Sequence, residues 1–195
     1  MNYILASKSP RRKEILENLG VPFEVVVADT DESSEETDPS RLVELLSYRK
    51  GEAVRALLQA KGRDLSDTAI ISSDTVVEID GEILGKPKDR ADAIRMLALL
   101  EGRTHRVISG VCLLGENGGK ATHEVTEVTF DHMTNEEIEG YVDLAQPYDK
   151  AGAYAIQGEA SLFIGGIKGC YFNVVGLPVH RLNRLHREIF GENLL

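Results

Sequence analysis

The stretch TAIISSDTVVEIDGEILG, residues 68–85, decides how this chain folds. Ile, Val and Thr dominate its first part, and β-branched residues suit a pleated, largely buried strand. Asp80-Gly81 is a tight-turn pair, after which Glu82 to Leu84 reads as a returning strand. A hairpin at this point rules out a purely parallel sheet. Asp74 stands inside the apolar run. A carboxylate there needs a cation, a metal or several hydrogen-bond donors. An Asp at a strand end or bulge, satisfied by backbone N–H groups, is an equally good reading.

Outward from this hairpin, strands and helices alternate. Residues 2–6 read as a short buried strand leading into a helix over 9–19 that Gly20 can close. Residues 21–28 (VPFEVVVA) form a second strand, followed by the acidic loop DTDESSEETDPS. A long helix is predicted over 39–61, with Gly51 as an interruption. Residues 89–102 form another helix. The segment 104–130 reads as a long hairpin turning at Asn117-Gly118-Gly119. Thr134 and Glu137 have capping-box spacing for a helix over 135–145. Residues 149–169 are Gly-rich and β-like, and a final helix runs from about 178 to 190. The pattern predicts an α/β fold on a mixed, hairpin-containing sheet, a single domain over 1–195, bilobal around a cleft.

Composition narrows the function. The chain has 195 residues and a formal charge of -10, with 22 basic against 32 acidic side chains. Binding to extended nucleic acid needs a broad basic face, so that class is disfavoured. A small polyanion in a locally basic site remains compatible. Cys112 and Cys170 have no CxxC spacing, so reduced thiols are expected. No apolar run is long enough to span a membrane and no signal-peptide pattern is present, so a cytoplasmic location is expected.

The N-terminal strand–turn–helix is the strongest chemical signal. Ser9 and Pro10 suit an N-cap and first helical position. Arg11, Arg12 and Lys13 follow, at the helix end where positive charge is disfavoured. An anion bound by the free N–H groups and arginine forks would resolve that conflict, with Ser7 and Ser9 as hydroxyl donors. A solvated first turn is the plainer alternative. Lys86, Arg103 and Lys150 lie beside Gly or Pro in turns, where backbone approaches ligands easily. Asp29, Asp31 and Glu32 offer oxygen ligands to a divalent cation, or simply a solvated loop. The five histidines lie in no metal or triad pattern. GGIKG at 165–169 lacks a dinucleotide fingerprint.

These motifs, in this order, resemble the Maf family of nucleoside triphosphate pyrophosphatases, also called septum-formation inhibitors. LASKSPRRKEIL, SSDTVVEIDGEILGKPKD, GRTHRVISGV, DKAGAYAIQG and GCYFNVVGLP carry the resemblance nearly end to end. It implies hydrolysis between the α- and β-phosphates with Mg²⁺ or Mn²⁺, on an elongated Maf/ITPase-like fold with two lobes, as a homodimer. It places the catalytic carboxylate on Asp74, which with Glu32 would hold the metal. It places other active-site positions on Ser7, Arg11, Arg12, Lys50 and Lys86, and substrate choice on Arg11, Thr75 and Gln157. Gln157 resembles the dTTP/UTP branch. A non-catalytic nucleotide-binding regulator of cell division is the alternative. Ser73 stands where Ala is usual, Cys170 where Ser is common, and Gly51 and Glu52 also depart from the common pattern.

Overall fold

The computed structural model describes all residues, Met1–Leu195. Seven strands form one mixed sheet in the order β2-β1-β3-β5-β6-β7, with β4 paired to β3. The strands are β1 (Asn2–Leu5), β2 (Phe23–Val25), β3 (Thr68–Ile79), β4 (Glu82–Leu84), β5 (Thr104–Gly115), β6 (Gly118–Phe130) and β7 (Ile164–Lys168). The helices are α1 (Pro10–Asn18), α2 (Pro39–Ala60), α3 (Arg90–Leu100), α4 (Asn135–Ala145), α5 (Tyr171–Val175) and α6 (Val179–Phe190). β1 runs parallel to both β2 and β3, whereas β3–β4 and β6–β7 are antiparallel. The mixed sheet expected from the hairpin at residues 68–85 is therefore present.

The chain divides into two compact units. One comprises residues 1–74, 109–124 and 176–195. Its core includes Ile4, Ala6, Val54, Leu58, Ile70, Cys112 and Leu114. The other comprises residues 75–108 and 125–175, with a core that includes Val77, Leu97, Val107, Phe130, Val142 and Tyr154.

The structure departs from the sequence reading in α2, in the segment 149–169 and at the β5–β6 turn. Gly51 does not interrupt α2, which is continuous and begins on Asp38, whose Oδ1 accepts from the Ser40 and Arg41 amides. Gly51 is buried, and a Cβ there would lie 2.8 Å from Leu114 Cδ1 and 2.9 Å from Ser72 Oγ. The glycine thus serves close helix–sheet packing rather than helix termination. Residues 149–169 form two 3-10 turns, over Ala151–Ala153 and Glu159–Leu162, joined by irregular backbone, and only β7 is a strand. Gly-rich composition permitted both outcomes. The β5–β6 turn falls on Glu116 and Asn117, slightly before the predicted glycine pair. The Thr134–Glu137 capping box is present in full.

Candidate active site

Three local arrangements bring charged side chains together in the N-terminal unit. The first is the end of β1. Leu5 pairs with Ile71 in parallel register, and the Ala6 amide donates to the Ile71 carbonyl at 2.8 Å. The chain therefore leaves the sheet at Ser7 alongside the Ser72–Ser73–Asp74 part of β3. In open α/β sheets this carboxyl end is where ligands bind.

The second is the start of α1. Ser9 occupies the N-cap position in extended conformation, but its side chain makes no capping bond. Ser7 braces the turn that leads into the helix. Its buried Oγ accepts from the Ser9 amide and from Arg12 Nη1, each at 3.2 Å. Arg12 Nε donates to the Gly176 carbonyl at 2.8 Å, so two bonds fix the guanidinium. Burial lowers the Arg12 pKa to about 10, with Asp74 opposing, and the group stays cationic at neutral pH. Lys13 is different: exposed, it pairs with Glu17 one turn on, at 3.5 Å. No acidic residue occupies the first turn, so the cations are not neutralised within their own helix start.

The third is the contact of α2 with β3. Ser72 Oγ donates to the Ser47 carbonyl at 2.6 Å, which sets the helix against the strand. Three residues along α2 rise about 4.5 Å and two along β3 about 6.6 Å, so Lys50 and Asp74 come opposite one another. Lys50 Nζ lies 2.5 Å from Asp74 Oδ1 and 3.0 Å from Glu32 Oε1. Arg49 Nη1 donates to the Ser33 carbonyl at 2.8 Å and so ties the acidic loop to the same helix. Of the loop's three oxygen candidates, Glu32 reaches Lys50. Asp31 instead accepts from Ser33, whose hydroxyl and then its amide, at 2.9 Å, lower the Asp31 pKa.

Asp74 is 9% exposed and has a cation as its partner, which decides between the two readings left open by sequence. Glu78, on the same strand, shows the other solution. Burial raises its pKa, but the Arg106 guanidinium and the Gly81 amide outweigh burial and lower it overall. It is a satisfied structural carboxylate.

The remaining predicted positions are reached separately. Arg11 is half-buried on α1. In the second unit, Thr75 is half-buried on β3, Lys86 is exposed after β4, and Gln157 is exposed between the two 3-10 turns. Sequence reading did not single out Gly176, whose carbonyl holds Arg12 and also accepts from Ser73 Oγ at 2.9 Å. A backbone acceptor leaves no side-chain signal.

The histidines are engaged elsewhere or exposed. His105 Nε2 meets the Tyr154 hydroxyl at 2.7 Å, and burial lowers its pKa to about 4. His186 donates from Nδ1 to the Glu192 carbonyl, which leaves Nε2 to accept from Tyr3. His123 and His132 pair with Glu44 and Glu101, and His180 is exposed. Burial raises the Cys112 thiol to about 12, so it is unreactive. No group of three or more His, Cys, Asp or Glu gathers as a closed metal cage. No helix is long and apolar enough to cross a membrane.

Comparison with known proteins gives the same order of elements a family. Residues 2–189 match the model described as Maf-like protein. The chain is 49% identical over 182 residues to the dTTP/UTP pyrophosphatase of Desulforamulus reducens, covering 92% of each. It is 45% identical to the protein of that name from Caldanaerobacter subterraneus, covering 98% of this chain and 90% of the other. Among solved structures it resembles the Staphylococcus aureus Ham1 protein at a TM-score of 0.47 and 16% identity, covering 67% of this chain and 72% of that one. From its second residue to within a few of its last, the chain belongs to the Maf-like protein family.

Proposed function

We propose that this chain hydrolyses nucleoside triphosphates, dTTP and UTP foremost, to the monophosphate and pyrophosphate. The single observation carrying this reading is the Lys50 ammonium held between Glu32 and Asp74. The pyrophosphatase names of the relatives at 45–49% identity support the substrate class.

Arg11, Arg12 and Lys50 supply positive charge to the triphosphate, and Ser7 orients Arg12. Arginine forks match phosphate oxygens in pairs, while lysine acts as a point charge. Lys86 adds a further cation. Asp74 orients the attacking water and accepts its proton as the water adds to the α-phosphate. The Lys50 ammonium bonds Asp74 Oδ1 and so fixes the orientation of the carboxylate. Gln157 and Thr75, with Arg11, select the nucleotide, because amide and hydroxyl groups read a pyrimidine edge without adding charge.

Glu32 and Asp74 suit Mg²⁺ or Mn²⁺ as cofactor. Two hard carboxylates converge on one cationic point, and Mg²⁺ typically takes one or two carboxylates and completes its shell with phosphate oxygens and water. When bound, the ion neutralises charge on the reacting phosphates and the pyrophosphate leaving group.

The test is incubation of the purified protein with Mg²⁺ or Mn²⁺ and each of dTTP, UTP, CTP, ATP, GTP and 7-methyl-GTP. Monophosphate and pyrophosphate should appear together, fastest from dTTP and UTP. Orthophosphate released from the γ-position, or nucleotide binding without turnover, would overturn the reading.

A further inference from the structure

Ser73 precedes Asp74 on β3 and is fully buried. Its Oγ lies 2.6 Å from the Gly110 carbonyl and 2.9 Å from the Gly176 carbonyl. Carbonyls only accept, so the single hydroxyl proton is shared between two acceptors. The Gly176 carbonyl in turn accepts from Arg12 Nε at 2.8 Å. A continuous path of hydrogen bonds therefore runs from the residue before Asp74, through one backbone carbonyl, to the guanidinium of Arg12.

We propose that Ser73 is a positioning residue that holds the Gly176 carbonyl where it sets the Arg12 guanidinium for the substrate's phosphates. The inference rests on the pyrophosphatase reading above. Gly176 has φ +117 and is followed by fully buried Leu177 and by Pro178, which has no amide proton. Ser73 and Arg12 both donate to its carbonyl. Without the hydroxyl, the Gly110 and Gly176 carbonyls lose a shared buried donor, and the segment bearing Gly176 can shift by the few tenths of an ångström that phosphate recognition by a rigid fork registers. Arg12 Nη1 remains on Ser7, so the guanidinium rotates rather than leaves. The effect should appear in nucleotide binding more than in the chemical step, since the Ser73 hydroxyl bonds the Gly110 and Gly176 carbonyls rather than the Asp74 carboxylate.

A double-mutant cycle on KM and kcat for dTTP tests this, using Ser73→Ala, Arg12→Lys and the double variant with the intact chain. Arg12→Lys keeps the charge but removes the Nε donor. Ser73→Ala should raise KM about three- to tenfold with kcat changed less than about twofold, the scale of one lost hydrogen bond. In the Arg12→Lys background the same change should shift KM less than about twofold, because the path is already cut. Multiplicative effects of the two substitutions, an unchanged KM, or a fall in kcat alone would overturn the proposal. A wild-type protein that releases no pyrophosphate would instead defeat the functional reading itself. Should Ser73→Ala fail to fold, Ser73→Cys keeps the shape with a weaker donor and serves in the same cycle.

Discussion

Lys50 Nζ contacts Asp74 Oδ1 at 2.5 Å, joining the middle of a long helix to a carboxylate buried in the neighbouring strand. The same ammonium reaches Glu32 at 3.0 Å from the acidic loop. One flexible cation thus gathers two carboxylates that lie 42 residues apart in the chain. Lys50 is 18% exposed at its side chain and Asp74 12%, so neither charge is freely hydrated. Their pairing offsets the desolvation that each would suffer alone.

Asp74→Asn should lower turnover by about 10²-fold or more, the range expected when a general base is lost. Pyrophosphate release under saturating dTTP measures it, with circular dichroism confirming the fold. A folded variant with near-normal turnover would remove Asp74 from its role.

Lys50→Ala should leave two carboxylates facing each other without the ammonium. The melting temperature should fall by roughly 2–8 °C in metal-free buffer. Added Mg²⁺ should then raise the melting temperature more in the variant than in the wild type, since Lys50 no longer competes for the same oxygens. Equal Mg²⁺ shifts in thermal denaturation would count against Glu32 and Asp74 as the metal's ligands.

Arg11→Ala and Lys13→Ala should behave differently although the residues are near neighbours. Arg11→Ala should raise KM for dTTP about tenfold or more through loss of a charge-assisted phosphate contact. Lys13 pairs only with Glu17 on the helix surface, so Lys13→Ala should leave KM within about twofold. Steady-state kinetics on both variants decides it, and matching effects would refute the distinction.

Gly51→Ala and Gly110→Ala should separate by severity. A Cβ at Gly110 would lie 2.1 Å from the Val43 carbonyl oxygen, against rigid helix backbone, and the variant should fail to fold or lose most of its stability. At Gly51 the nearest atom is the end of the Leu114 side chain, 2.8 Å away. Overpacking of about 1–3 kcal/mol is there offset by about 1 kcal/mol of helix propensity. Urea unfolding should show mild destabilisation at Gly51 and collapse at Gly110.

His105 should make stability pH-dependent. Its pKa falls from an ordinary 6.5 to about 4 in the fold, because burial disfavours the charged ring. Between these values the unfolded chain binds more protons than the folded one, so stability is fully present above about 6.5 and is lost as pH falls towards 4. The full effect is about 3 kcal/mol. Unfolding free energies of wild type and His105→Gln from pH 4.5 to 7.5 should converge at the acid end. Parallel curves would show that His105 does not titrate in this way.

Much of the fold is legible in local sequence. The Asp80-Gly81 turn, the Thr134–Glu137 capping box and the apolar run of β3 each act over a few residues, and each formed where the sequence places it. Local signals were weaker where two conformations compete, as in residues 149–169, where glycine supports turns as readily as strands. Gly51 reads as a helix breaker locally, whereas its role is close approach to Ser72 and Leu114, remote in sequence.

The site divides in the same way. Arg11, Arg12 and Lys13 stand out in sequence because helix dipoles make cations unfavourable in a first turn, and Asp74 because an apolar strand should not hold a bare carboxylate. Neither pattern says which cation meets which acid. Only tertiary structure distinguishes Arg12, locked to Ser7 and Gly176, from Lys13, paired along the helix surface. Only packing of α2 on β3 selects Lys50 as the partner of Asp74, and Glu32 rather than Asp31 as the second acid. Sequence determined which groups were charged and misplaced, since that depends on neighbours in the chain. Their partners depend on distances across the fold, which are set by strand register and helix packing.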